Sequence, residues 1–358
     1  MAQIDRFLGL LVKVRGSDLH IAVGVPPMLR VNGALKRVDY DALTAEHVNF
    51  LLREIMDEKR KSEFDAYNDT DFAYECEHGR FRVNVFMQKN GPSAVFRVVP
   101  TKIPTPDEIN LPHAVRQLAL KHKGLILITG ATGSGKSTTL ATLVDIVNRS
   151  RACHILTIED PIEFVHESKK ALISQREVGQ HAHSFARALR AALREDPDVI
   201  LVGEMRDLET ISLAITAAET GHLVLATLHT YSATKAIDRI IDSFPVEQQQ
   251  QIRVQLTEGL VAVIAQQLLP RKDNNGRIAA YEVLLSNDAV RHAIRENRIH
   301  QLKSIMQMHK KDGCQLMDAA LADLVRRGLV DRKEALSRAT DQRYLEQELA
   351  RDLTATAI

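Results

Sequence analysis

The chain has 358 residues, enough for two or three domains that each bury a core. A formal charge of +1, 4% aromatic residues and no tryptophan exclude a basic, base-stacking surface, so no nucleic-acid partner is expected. Cys76, Cys153 and Cys314 stand far apart without a CxxC pair, which argues against a zinc knuckle or disulfide framework and fits a reducing cytoplasm. The most apolar stretch, Gly259 to Leu269, is broken by Gln266 and Gln267. It falls well short of the ~20 residues of a membrane span. The start carries Asp5 and Arg6 and no signal-peptide layout, so any membrane association is expected to be peripheral, through a partner.

Residues 1–99 read as a small α+β unit. Asp18 to Ala22 is a strand signal, and Met28 to Val38 contains Asn32-Gly33 between two short runs, a hairpin signal. Thr44 to Phe64 spaces Val48, Leu51, Leu52, Ile55 and Met56 as an amphipathic helix. Arg80 to Val85 and Ala94 to Val99 predict two more strands around Asn90-Gly91-Pro92. Residues 100–112 hold Pro100, Pro104, Pro106 and Pro112, which predicts an extended linker and domain boundary. From 113 to 285 short apolar runs alternate with helical patterns, as in a parallel α/β sheet. The expected strands are Leu125–Thr129, His154–Ile158, Val199–Val202 and Leu223–Leu228. Residues 286–358 read as helical and polar.

The run from Gly124 reads strand, glycine loop, helix. Gly130, Ala131, Thr132, Gly133, Ser134, Gly135, Lys136, Ser137 and Thr138 match the phosphate-binding pattern G-x-x-x-x-G-K-[ST] and its next residue. Glycines let the backbone point its N–H groups at a phosphate, and the helix start adds a positive dipole end. Lys136 is expected to reach the β- and γ-phosphates and Ser137 to bind Mg²⁺. Asp198 to Glu204 predicts a buried strand ending in a carboxylate, where Glu204 would polarise the attacking water or cap the next helix. Gly203 holds the place where many such proteins put an aspartate. A second strand ends in Glu159-Asp160-Pro161-Ile162-Glu163, whose acids could hold Mg²⁺ through water, orient the nucleophile, or form a solvated turn. His222 and His229 flank a third strand. One could sense the γ-phosphate and the other steer the preceding helix. Arg80, Arg82 and Arg97 lie on the last two strands of the first unit. They are either candidates for the cation that phosphoryl transfer needs, or exposed strand charges.

Together these motifs resemble the secretion-superfamily ATPases, and within them the type IV pilus retraction ATPases, over nearly the whole chain. The resemblance rests on Gly16–Ile21, Arg80–Phe86, Val95–Val98, the phosphate loop, Ile158–Phe164, Ser174–Gly179, Leu193–Glu204, and Thr220–His222 through Thr227–Thr230. It implies a PAS-like α+β N-terminal domain followed by a RecA-like ATPase domain with a helical C-terminal region. It implies a homohexamer that hydrolyses ATP with Mg²⁺ and acts on an inner-membrane pilus platform protein, together with a paralogous pilus ATPase. By position it makes Glu204 the catalytic base, Glu159 and Glu163 an acidic box with water or Mg²⁺ roles, and His222 and His229 the box histidines. Arg82 and Arg97 become arginine fingers, with Arg80 and Arg194 behind them. The chain departs from the family at Ala289-Val-Arg-His-Ala293, where retraction ATPases carry Ala-Ile-Arg-Asn-Leu, and at Ala131 and Tyr231. Alternatives are an accessory retraction ATPase and a pilus-assembly or type II secretion ATPase. The latter usually carry four cysteines and a further N-terminal domain.

Overall fold

The computed structural model describes residues 2–31, 33–100, 102–273 and 276–355, with side chains to residue 350. It divides into two compact units, Met1–Lys102 with Glu163–Val165, and Ile103–Ile162 with His166–Ile358.

In the first unit Asp5–Lys13 forms α1. The strands Asp18–Ala22 (β1), Met28–Val31 (β2), Ala34–Arg37 (β3), Asp69–Cys76 (β4), Gly79–Gln88 (β5) and Gly91–Val99 (β6) make one antiparallel sheet, ordered β3-β2-β1-β6-β5-β4. Val31 pairs with Ala34, so β2 and β3 form the expected hairpin, although Asn32 lies outside the described residues. The helix expected from Thr44 to Phe64 is two helices, Ala45–Glu54 (α2) and Glu58–Tyr67 (α3). The break has a local cause. Asp57 takes an extended conformation and its carboxylate accepts the Arg60 N–H, starting a new helix as Thr44 starts the first. Alternation in the strands puts Leu19, Ile21, Phe81, Val83 and Phe96 in one core with Leu8, Leu11, Val48, Leu51 and Leu52 of the helices.

The second unit begins with His113–Leu118 (α4). It continues through Gly124–Thr129 (β7), Lys136–Ser150 (α5), His154–Glu159 (β8), Leu172–Glu177 (β9), Phe185–Ala192 (α6), Val199–Val202 (β10), Leu208–Glu219 (α7), Leu223–Leu228 (β11), Ala233–Asp242 (α8), Val246–Gly259 (α9), Leu260–Pro270 (β12) and Arg277–Leu285 (β13). The sheet order is β13-β12-β7-β11-β10-β8-β9, parallel except at β13. Its inner strands are buried on both faces, which explains their unbroken apolar runs. Leu125, Leu127, Ile200 and Val202 face one core, while Ile126, Ile128, Val199 and Leu201 face the other. Asp288–Arg295 (α10), Leu302–Met308 (α11), Met317–Arg326 (α12), Arg332–Arg338 (α13) and Gln342–Ala355 (α14) complete the unit. Among the described residues no helix is long and apolar enough to cross a membrane.

Candidate active site

The loop after β7 turns on Gly130, Gly133 and Gly135, whose φ values are +151°, +78° and +90°. Glycine tolerates these where L side chains are strained. At Gly130 a Cβ would also lie 2.5 Å from the Gln266 carbonyl oxygen and 2.6 Å from Ser134 Oγ. Ala131, Thr132 and Gly133 are exposed, Ser134 is buried, and Gly135, Lys136, Ser137 and Thr138 are half-buried where α5 starts. No side chain caps α5, so its first-turn amides and dipole remain for an anion. Lys136 Nζ donates to the carbonyls of Gly130 (2.9 Å) and Ala131 (3.1 Å), folding back over the loop.

Sequence reading passed over Gln266 except as an interruption of an apolar run. It lies on β12, just after Ala265 pairs with Thr129 at the end of β7. Its Nε2 donates to the Ser134 carbonyl at 2.6 Å, and its Oε1 accepts from Thr139 Oγ1 at 2.9 Å. The only signal was a glutamine in an otherwise buried strand. Thr129 was likewise read only as a strand end. Its hydroxyl meets Thr230, accepting the backbone N–H at 2.9 Å and lying 2.7 Å from the carbonyl, and so ties β11 to the phosphate-loop strand.

Glu204 follows β10, one strand removed from β7, at the carboxyl edge of the sheet. Its Oε1 lies 3.1 Å from His229 Nε2 and its Oε2 accepts from Arg206 at 2.7 Å. The Arg206 hydrogen bond holds the carboxyl below its ordinary range. Burial works the other way, and the nearby His229 adds to the lowering. A carboxylate so held is a weak proton acceptor and a good orienter of water. A depressed pKa means the ionised form is kept above the ordinary carboxylate range and lost only as pH falls through the lowered value. Arg206→Ala is therefore expected to shift the acid limb of the kcat/KM profile for ATP hydrolysis to higher pH. An unmoved limb would show that Arg206 does not set this titration.

Gly203 has a steric reason to be glycine. A Cβ there would sit 3.1 Å from the Ile158 carbonyl oxygen and 3.2 Å from the Glu159 Cα, both backbone atoms of the adjoining β8. A side chain at this point would need that backbone to give by a few tenths of an ångström.

Glu159 ends β8 and its Oε1 accepts from Thr157 Oγ1 (2.7 Å) and Gln175 Nε2 (3.1 Å). Glu163 is exposed and falls in the segment grouped with the first unit. Among the described residues no three His, Cys, Asp or Glu side chains gather as a metal site. Mg²⁺ at phosphates needs fewer, since one or two protein oxygens, water and the phosphates complete its shell. The Ser137 hydroxyl, half-buried in the first turn of α5, fits that requirement.

His222 precedes β11 at the opposite end from His229, roughly 20 Å away along the strand. Its Nδ1 lies 3.0 Å from the Ala217 carbonyl, so it closes the end of α7. The alternative role, steering the preceding helix, matches this position.

In the first unit Arg82 and Arg97 are cross-strand partners, and Arg97 pairs in turn with Asp18. Both arginines are exposed, on the face opposite the buried Phe81 and Phe96. Arg97 Nε donates to Asp18 Oδ1 at 2.7 Å, and Arg82 lies 3.8 Å from Asp71. Burial alone would raise the Asp18 carboxyl, but hydrogen bonds from Arg97 and Ser17 outweigh it and hold it below its usual range. Arg80 is more shielded and faces Glu75 at 3.7 Å, and Arg194 is exposed just after α6. In the departing segment Val290 and Ala293 are buried, and Arg291 donates to Asp288 at 2.7 Å.

A largely parallel sheet carrying a lysine-bearing glycine loop at one strand end and a carboxylate two strands along defines a P-loop ATPase. The family model of Type II/IV secretion system proteins matches residues 4–337. The type IV pilus retraction ATPase PilT of Pseudomonas aeruginosa is 48% identical over 94% of this chain and 98% of its own. PilU, a type IV pilus ATPase of the same organism, is 40% identical over 94% of this chain and 88% of its own. A crystal structure of the pilus retraction motor PilT with bound ADP superposes with a TM-score of 0.91 at 44% identity, covering 97% of this chain and 99% of that one. The chain belongs to the Type II/IV secretion system protein family and, within it, to the PilT-type pilus retraction ATPases. Its identity to PilT exceeds that to PilU, which favours the principal motor over the accessory one.

Proposed function

We propose that this chain is a ring-forming ATP hydrolase that drives type IV pilus retraction and twitching, with Mg·ATP held at Gly130–Thr138. The observation that carries the reading is the placement of Lys136 and Glu204 at the same edge of one sheet, after the ends of β7 and β10. The loop amides and Lys136 would hold the phosphates, and Ser137 would supply a ligand to Mg²⁺, with Glu159 acting through water. Glu204 and His229 then orient the attacking water. When bound, Mg²⁺ would supply positive charge beside the phosphates.

Lys136 leaves the Gly130 and Ala131 carbonyls when phosphate arrives, since the charged ligand is the stronger acceptor. The first unit is PAS-like and the second RecA-like in this reading. The antiparallel sheet with helices against one face supports the first assignment, and the parallel sheet with its phosphate loop supports the second. Arg82 and Arg97, exposed on the other face of the first sheet, serve the nucleotide of a neighbouring subunit in a homohexamer. The ring works from the cytoplasm on an inner-membrane platform protein, alongside a paralogous ATPase.

The test combines sedimentation with ATPase assay across protein concentration. Turnover per chain is expected to rise as rings assemble. A monomer with full turnover would remove the ring from the mechanism.

A further inference from the structure

Gln266 and Tyr281 are directly paired across β12 and β13, so their side chains share a face. Both are nearly fully buried, at 2% and 1% exposure. Polar side chains in such a place are retained when their hydrogen bonds are met. Here each bond leads somewhere specific. The Gln266 amide donates to the Ser134 carbonyl behind the phosphate loop and accepts from Thr139 in the first turn of α5. The Tyr281 phenol donates to the Ile109 carbonyl at 3.0 Å, in the proline-rich segment that leads from the first unit. One turn further along α5, Thr142 donates to the Pro104 carbonyl of the same segment at 3.1 Å. The phosphate loop is therefore joined to residues 104–109 by Gln266 and its cross-strand partner Tyr281, and by Thr139 and Thr142 on α5.

We propose that Gln266 and Tyr281 are positioning residues, Gln266 fixing the phosphate loop and Tyr281 passing the state of that loop to the segment at Ile109. The proposal rests on the nucleotide-binding role given to the loop above. Gln266 touches the loop from behind, through the Ser134 carbonyl, so it acts through the loop's amides. If a phosphate draws the loop amides forward, the Ser134 carbonyl moves and Gln266 follows. Thr139 and Tyr281 lie in the same buried layer and shift with it, because close-packed interiors transmit such displacements.

The test uses the full chain with Gln266→Met, which keeps size and loses both hydrogen bonds, and Tyr281→Phe, which removes one oxygen. ATP turnover, ADP affinity and hydrogen exchange of residues 103–111 with and without ADP are measured on each. Gln266→Met is expected to raise KM for ATP and weaken ADP by about tenfold, through the unsatisfied loop carbonyl. Tyr281→Phe is expected to keep KM within about twofold, because the loop side of the path stays intact, while kcat falls several-fold. It is also expected to lose the ADP-dependent change in exchange at 103–111 that is expected of the unsubstituted chain. An unchanged KM in Gln266→Met, or an unaltered ADP response in Tyr281→Phe, would overturn the proposal. So would an unsubstituted chain that binds ADP without any response at 103–111. A chain that binds no nucleotide at all would instead refute the site itself.

Discussion

Glu204→Gln is expected to lower ATP turnover by about 10²–10⁴-fold while leaving ADP affinity close to that of the unsubstituted chain. Glutamine keeps the size and one acceptor oxygen but loses the charge that orders water against the γ-phosphate. It also loosens the contacts with Arg206 at 2.7 Å and His229 at 3.1 Å. The split between binding and turnover is the informative part. In the proposed site the loop amides and Lys136 hold the phosphates, and Lys136 is placed by the Gly130 and Ala131 carbonyls, not by Glu204. Turnover within threefold of normal would remove Glu204 from the chemistry. A matching loss of ADP affinity would make it a structural residue.

The second large effect belongs to Arg97. Arg97→Ala is expected to cut kcat by about 10³-fold or more, the range in which a transition-state arginine acts. Asp18 holds the guanidinium at 2.7 Å on an otherwise exposed face, an arrangement that keeps an extended side chain directed without hiding it. The sharper form of the experiment mixes Arg97→Ala with Lys136→Ala, each inactive alone. If the arginine serves a neighbour's nucleotide, mixed rings contain some intact sites and recover part of the activity. If it serves its own chain's nucleotide, each chain in the mixture stays defective and no activity returns. A modest loss in Arg97→Ala alone would reduce it to an exposed strand charge.

The parts of the fold that sequence displays best are those buried on both sides. The apolar runs of β7, β8, β10 and β11 leave little other interpretation, and the glycine loop sits directly after the first of them. The edges were harder to read. β9 carries Ser174, Gln175 and Arg176 because it is an edge strand with half-exposed positions, so it lacks the apolar run of a central strand. β12 is apolar enough to raise the question of a membrane span. Its two glutamines looked like a defect in the run, whereas Gln266 is a fitted contact to the phosphate loop. The apolar rhythm of α2 stops before α3, which buries only Phe64, and the extended residue that separates the two helices is marked by no proline or glycine, only by Asp57.

The candidate site divides in a similar way. The positions of Lys136, Ser137 and Glu204 were legible because each comes shortly after a strand end. The place of His222 was not, because a position before a strand and a position after it look alike in sequence but lie at opposite edges of the sheet. The glycine at 203 was visible as a departure from the usual aspartate, but its cause was not. That cause is the backbone of β8, brought alongside by the sheet order. Thr129, Gln266 and Tyr281 form contacts across 101, 132 and 172 residues, spans over which local pattern carries no information.

In the proposed mechanism ATP hydrolysis at Glu204 powers pilus retraction. The most direct measurement replaces the chromosomal gene with the Glu204→Gln form and scores surface pili and twitching in the same cells. Abundant surface pili without movement is the expected result. Cells without pili would point to an assembly motor, and normal twitching would show that hydrolysis at this site does not drive retraction.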